Sequence, residues 1–199
     1  MGEGWEGGNA YTMSVPSSFG RFDRDGWLSG ARRLPSPHFD ARPDGAAIEL
    51  LVIHNISLPP DEFGGPGIID LFLGRLDHSA HPYYERIRGL RVSSHFLVRR
   101  DGELIQFVGC AARAWHAGES TWRGRSRCND FSVGVELEGS DSAPFTDPQY
   151  AVLAPLTRAL QAHYPIVDIQ GHSAIAPGRK TDPGPHFDWA RYRASIASG

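Results

Sequence analysis

Cysteine is scarce in this chain: Cys110 and Cys128 are the only two among 199 residues. Two cysteines make no disulfide framework, and neither stands at metal-ligand spacing from the other, so reduced, buried thiols are expected. Long apolar runs are missing as well. No stretch reaches the ~18 apolar residues of a membrane-spanning helix. Met1 to Gly20 is rich in Gly and Ser and lacks the apolar core of roughly 7–15 residues that a secretory signal carries. The expectation is a cytoplasmic chain without membrane contact. Charge of one sign is lacking too: the formal net charge is −3, which excludes the basic field of a general nucleic-acid binder. With no internal repeat, heptad or extended apolar surface stripe, a monomer is expected.

What is present suits one soluble domain. The hydrophobic fraction is 40%, ordinary for a globular protein, and the length is ample for a core. The first twenty-odd residues, 1–22, are expected to form a mobile arm, with the folded domain from residue 23 to residue 199. Ile48 to His54 is a nearly continuous apolar run of strand length, and a buried central strand is expected there. Gly67 to Leu76 has helix-like apolar spacing. Ser94–Arg99 and Glu103–Val108, joined through Asp101-Gly102, predict a hairpin. Asp147-Pro148 reads as an N-cap with proline at the first helical position, opening a helix to about His163 that Pro155 should kink or locally disturb. Asp188 to Ala197 predicts a short closing helix with Trp189, Tyr192 and Ile196 on one face. Strands interleaved with helices give an α/β or α+β fold: a mixed sheet with helices and long loops.

Three places carry residues suited to chemistry. Gly171 to Pro185 brings His172, Lys180 and Asp182 into one Gly/Pro-rich segment that follows the β-branched run Ile166–Gln170. Imidazole and carboxylate suit Zn²⁺, and a lysine beside them could stabilise an oxyanion. The plainer alternative is a loop-capping histidine and a turn aspartate. His54 ends its strand, where a ligand would be presented, with Asn55 beside it as an outer or substrate-binding amide; a lone histidine on an apolar strand is also often a core residue bonded to backbone. In Phe131–Gly139, alternation puts Glu136 and Glu138 on one face and Val133, Val135 and Leu137 on the other. Those carboxylates either face solvent or one lines a cleft as a general base.

Val52–Pro60, Ala114–Gly118, Arg127–Gly139 and Gly171–Pro185 occur in that order. Together they resemble the zinc N-acetylmuramoyl-L-alanine amidases, and among them the AmpD-type cytoplasmic anhydromuramyl amidases. The likeness runs from about Asp25 to Arg191. The resemblance implies a central mixed β-sheet flanked by helices, with residues 23–199 as the zinc amidase domain. It implies His54, His172 and Asp182 as ligands of one zinc ion, Glu136 as the acid/base residue, and Lys180 as the partner of the oxyanion. The implied reaction is hydrolysis of the amide joining anhydro-N-acetylmuramic acid to the stem-peptide L-alanine in cytoplasmic muropeptides, a step of peptidoglycan recycling. Arg127 is the first choice for the acidic group of the muropeptide and Arg91 the second. Tyr83 matches a position whose hydroxyl would hold a zinc ligand or water.

The segments Leu58–Pro66 and Ala111–Asn129 are expected to shape the cleft. Trp115 is either a platform for a sugar ring or a pin for its own loop, and Trp122 poses the same choice. His116 is expected to bond a backbone carbonyl, and His95 to be structural. Two rivals remain. One is a muropeptide-binding protein of the related recognition type, which lacks a zinc ligand, whereas here all three are present. The other is an amidase of intact cell wall, which fits poorly with the missing export signal and the long Leu58–Pro66 loop.

Overall fold

The computed structural model describes residues 19–198. Positions 1–18 of the expected arm therefore lie outside the described residues, while Phe19 and Phe22 at its end pack against the main core. The chain opens with β1 (Arg32–Arg33) and β2 (Phe39–Ala41), then the central strand β3 (Leu50–Ile56). Two short helices follow, α1 (Gly67–Phe72) and α2 (Pro82–Arg86). The expected hairpin is β4 (Phe96–Val98) and β5 (Leu104–Gln106), antiparallel with Leu97 opposite Ile105. The second expected loop is broken by β6 (Ala112–Ala114), β7 (Thr121–Trp122) and β8 (Arg125–Ser126). Then come β9 (Ser132–Glu138), α3 (Asp147–His163), β10 (Asp168–Gly171), α4 (His172–Ile175) and α5 (Trp189–Ala197).

Six strands form one mixed sheet in the order β1-β5-β4-β9-β3-β10. β4, β9, β3 and β10 run parallel, and β5 turns back against β4. β3 lies between β9 and β10, and its first five residues are buried, as expected of a strand covered on both faces. Leu51 and Ile53 join Val133, Val135 and Leu137 in the cluster packed by α3 and α5. Leu50 and Val52 belong to a separate cluster with Trp122, Phe131 and Ile175, while Leu97 and Ile105 join a third with α1. The chemistry lies where the parallel strands end.

α3 forms as expected, with its cap one residue earlier. Thr146, not Asp147, is the N-cap: its hydroxyl accepts from Gln149 N–H, and the Gln149 side chain accepts from Thr146 N–H. This reciprocal pair satisfies two otherwise orphaned donors, and Asp147-Pro148 become the first helical residues. The helix runs unbroken through Pro155. Val152, Leu153, Leu156 and Leu160 are buried along it, and each such side chain contributes about 1.5–3 kcal/mol by leaving water. α5 is capped by Asp188, whose carboxylate accepts from Arg191 N–H. Trp189, Tyr192 and Ile196 turn toward the same core, as their spacing predicts.

Candidate metal and catalytic site

Three parallel neighbours bring the site together at their C-terminal ends, where open α/β sheets present ligands. His54 on β3 stands directly across from Glu136 on β9. On the other side Gly171 pairs with Ile53, so His172 emerges at once as the first residue of α4. Asp182 returns from the following loop, which is tied down because Ser173 N–H donates to the Asp182 carbonyl. A Cβ on Gly171 would come within 2.7 Å of Pro183 Cδ, so glycine lets that loop close. Asn55 holds the same loop from β3, its amide donating to Pro183 O at 3.0 Å and to Asp141 Oδ1 at 2.8 Å.

His54 Nδ1, His172 Nδ1 and Asp182 Oδ2 converge, each 3.0 Å from the other two. All three residues are buried, His54 to 1% exposure. Burial alone would raise the Asp182 carboxyl, but its hydrogen bonds with His172 and His54 override this and hold it well below the usual carboxylate range. Burial lowers His54 to about 4 against the opposing pull of Asp182, so its ring is neutral near pH 7. His172 Nε2 lies 2.9 Å from the Ala117 carbonyl. The Nε2–H donates there, and in a neutral ring Nδ1 is then the lone pair. A lone pair and a carboxylate thus face each other, and without a cation a single hydrogen on His54 Nδ1 would have to serve both. Two imidazoles and one carboxylate are donors that fit a divalent ion such as zinc. Those three residues are where a metal would be held.

Glu136 is 8% exposed, with Oε1 3.9 Å from His54 Nδ1 and Oε2 without any hydrogen-bond partner. Burial raises its carboxyl well above the usual value, the Asp182 charge adds to this, and Lys180 opposes it. Glu138, two residues on, is buried for a different reason. It accepts from Gly64 N–H and Arg100 N–H and pairs with Arg99 at 3.5 Å, anchoring the Leu58–Pro66 segment. The solvated-face alternative for this pair does not hold: every residue of β9 is buried.

A cleft of about 460 Å³ opens over the cluster. Asn55, Tyr83, Arg91, Trp115, Glu136 and Lys180 all line it, together with the three candidate ligands. Arg127 does not: it is mostly exposed, has a left-handed backbone, and pairs with Asp130 at 3.1 Å. A larger hollow of about 670 Å³ lies between Trp27, Phe39 and Arg42, away from these groups. Trp122 is a pin for its loop, buried with its indole N–H donating to Asp168 Oδ2. His95 is structural as expected, accepting from Gly134 N–H. Both cysteines are buried and unpaired with each other.

His116 departs from expectation. Its Nδ1 lies 2.9 Å from His54 Nε2 and its Nε2 3.1 Å from Ser132 Oγ, so no carbonyl holds it. Arg179, which the sequence does not single out, donates to the Ala117 and Glu119 carbonyls and so pins the stretch of backbone that orients His172. The only pointers are the tandem Arg179-Lys180 and Trp115-His116, and only the fold shows what each meets.

The N-acetylmuramoyl-L-alanine amidase family matches residues 44–185. The chain is 59% identical over 174 residues to the 1,6-anhydro-N-acetylmuramyl-L-alanine amidase AmpD of Citrobacter freundii, covering 86% of this chain and 93% of that protein. The corresponding AmpD of Escherichia coli K12 is also 59% identical, over 86% of this chain and 95% of its own. A crystal structure of a selenomethionine AmpD derivative superposes with a TM-score of 0.85 at 59% identity, over 88% and 98% of the two chains. The amidase AmiD of E. coli, solved with the substrate anhydro-N-acetylmuramic acid-L-Ala-D-gamma-Glu-L-Lys, gives a TM-score of 0.56 at 30% identity, over 90% of this chain and 66% of AmiD.

Proposed function

This chain belongs to the N-acetylmuramoyl-L-alanine amidase family, and on that premise we propose that it hydrolyses the amide between anhydro-N-acetylmuramic acid and L-alanine of muropeptides. The observation that carries the reading is the Glu136 carboxylate, its Oε2 without a hydrogen-bond partner, beside the His54, His172 and Asp182 cluster inside one cleft. AmpD relatives named for this activity, and an AmiD relative solved with such a substrate, support the substrate class.

We assign one zinc ion to His54, His172 and Asp182. When bound, it supplies Lewis acidity at the amide carbonyl and lowers the pKa of a water molecule to about 7. Glu136 takes a proton from the attacking water and returns it to the departing nitrogen, as the water oxygen adds to the carbonyl carbon and the C–N bond breaks. Its raised pKa suits the first transfer, because a carboxylate of ordinary acidity would be a weaker base toward the attacking water. Lys180 faces the developing oxyanion with a positive charge already near enough to Glu136 to oppose the effect of burial. Arg91, which makes no ion pair among the described residues, takes a stem-peptide carboxylate. Trp115 and Tyr83 form the wall for the sugar and the outer hydroxyl of the site.

No helix among the described residues is long and apolar enough to cross a membrane; we place the enzyme in the cytoplasm, as a monomer acting in peptidoglycan recycling. A purely binding role is disfavoured by a complete ligand set with its acid/base residue. The test is mass spectrometry of an anhydromuramyl-tripeptide incubated with the protein, with and without a chelator. Separate sugar and peptide, lost on chelation and restored by zinc, are expected. Intact substrate with stoichiometric zinc in the protein would overturn the reading.

A further inference from the structure

We propose that His116 is a positioning residue that fixes the ring tautomer and orientation of His54, with Ser132 closing the chain behind it. The inference rests on the metal reading above and concerns a ring that borders the cleft but acts through His54. For His54 Nδ1 to offer a lone pair, its hydrogen must sit on Nε2, and that N–H points at His116 Nδ1, 2.9 Å away. His116 then carries its own hydrogen on Nε2 and donates it to Ser132 Oγ at 3.1 Å. Water offers little alternative here: His54 is 1% exposed and Ser132 is fully buried. A His54 hydrogen without His116 would be an unpaired buried donor or would move to Nδ1, where it blocks the ligand.

The surroundings are shaped for this ring. Ser132, Gly134 and Glu136 share one face of β9 by its alternation. A Cβ on Gly134 would lie 2.5 Å from His116 Cγ, so the imidazole occupies the space a side chain would take. The backbone of His116 is held as firmly. Asn129 Oδ1 accepts from both His116 N–H at 3.2 Å and Ala117 N–H at 2.8 Å. The Ala117 carbonyl in turn accepts from His172 Nε2. One dipeptide thus orients both imidazole ligands, one through a side chain and the other through a carbonyl.

The test compares His116→Leu, His116→Gln and Ser132→Ala with the parent by zinc affinity in chelator competition, each variant first shown to be folded. Outer partners of metal ligands typically contribute about 10–100-fold in affinity. His116→Leu should weaken zinc binding by that factor, and His116→Gln, whose amide oxygen can accept the same hydrogen, should recover most of it. Ser132→Ala, the mildest change, should weaken binding a few-fold. Nitrogen NMR of the zinc-loaded parent should place the His54 hydrogen on Nε2. A folded His116→Leu with parental zinc affinity, or a His54 hydrogen on Nδ1, would overturn the proposal. If His116→Leu does not fold, Ser132→Ala decides: unchanged affinity and an unchanged His116 nitrogen spectrum would overturn it equally. A parent protein that binds no zinc would instead bring down the metal reading, and this inference with it.

Discussion

On one face of the central sheet, Leu51, Ile53, Val133 and Val135 meet Leu153, Leu156 and Leu160 of α3 and Tyr192 of α5 in a continuous core. On the other face the same strands carry Ser132, Gly134, Glu136 and His54, and the apolar clusters stand to either side, around Leu97 and around Leu50 and Val52. A single strand serves both purposes because its side chains alternate with a period of two. The helical face supplies burial and stability. The other face keeps charged and ring groups dry, which is costly unless they are paired, and it leaves one carboxylate oxygen unpaired beside the candidate metal ligands. Along β3 and β9 one parity serves the core, while the other carries the candidate chemical groups among structural ones such as Leu50, Val52 and Glu138, and substitutions should sort accordingly.

The largest expected effect lies on the chemical face. Asp182→Ala removes the anionic donor and should abolish stoichiometric zinc in the purified protein, with amidase activity falling at least ~10³-fold; both are read by metal analysis and product formation. Glu136→Gln should keep zinc but lose about 10²–10⁴-fold in kcat, the range for a general acid/base. Lys180→Ala should cost on the order of 10²-fold in kcat, again with zinc retained; a variant that loses its zinc, or one with parental kcat, would remove Lys180 from the oxyanion role. On the helical face the pattern should invert. Leu156→Ala, at a fully buried position of α3, should lower unfolding free energy by about 2–5 kcal/mol in a urea titration while leaving kcat of the folded fraction unchanged. A substantial loss of kcat there would mean that the two faces are coupled.

Much of this division is legible in the chain, because the hydrophobic pattern reports which side of a strand is dry. The run ending at His54, the alternation through Glu136 and the Asp188 helix all stand where their spacing puts them. Local chemistry locates α3 to within one residue; Thr146 and Gln149 take the cap from Asp147 because a reciprocal pair satisfies two donors where an aspartate satisfies one. What spacing does not give is the partner of each polar group. The resemblance makes Arg127 a substrate arginine; in the fold it is mostly exposed, outside the lining of the cleft, and pairs with Asp130 three residues on. His116 meets another imidazole rather than a carbonyl because Gly134, on a distant strand, leaves room for its ring. Such pairings depend on long-range register, which no local pattern encodes.

The smallest effect offers the sharpest form of the comparison, because it sets two carboxylates of one strand against each other. In the metal-free protein, burial holds the Glu136 carboxyl well above the ordinary glutamate range. A carboxyl raised in this way contributes its full stability below the unfolded value, and that contribution disappears as pH climbs through the raised folded value. Glutamine is neutral throughout. Glu136→Gln should therefore stabilise the chelator-treated protein near pH 8, by about 1 kcal/mol or ~2–4 °C in Tm for a chain of this size, and the gain should vanish near pH 4. Glu138→Gln should move the other way at neutral pH, because its carboxylate accepts from Gly64 and Arg100 backbone and neutralises Arg99. An amide there donates where acceptors are needed. Thermal melts of both variants at the two pH values decide the matter. Opposite signs at pH 8 would identify Glu136 as a group kept charged at the expense of stability for the sake of its chemistry. Equal destabilisation would mean that both carboxylates are structural, and the acid/base role would have to be sought elsewhere in the cleft.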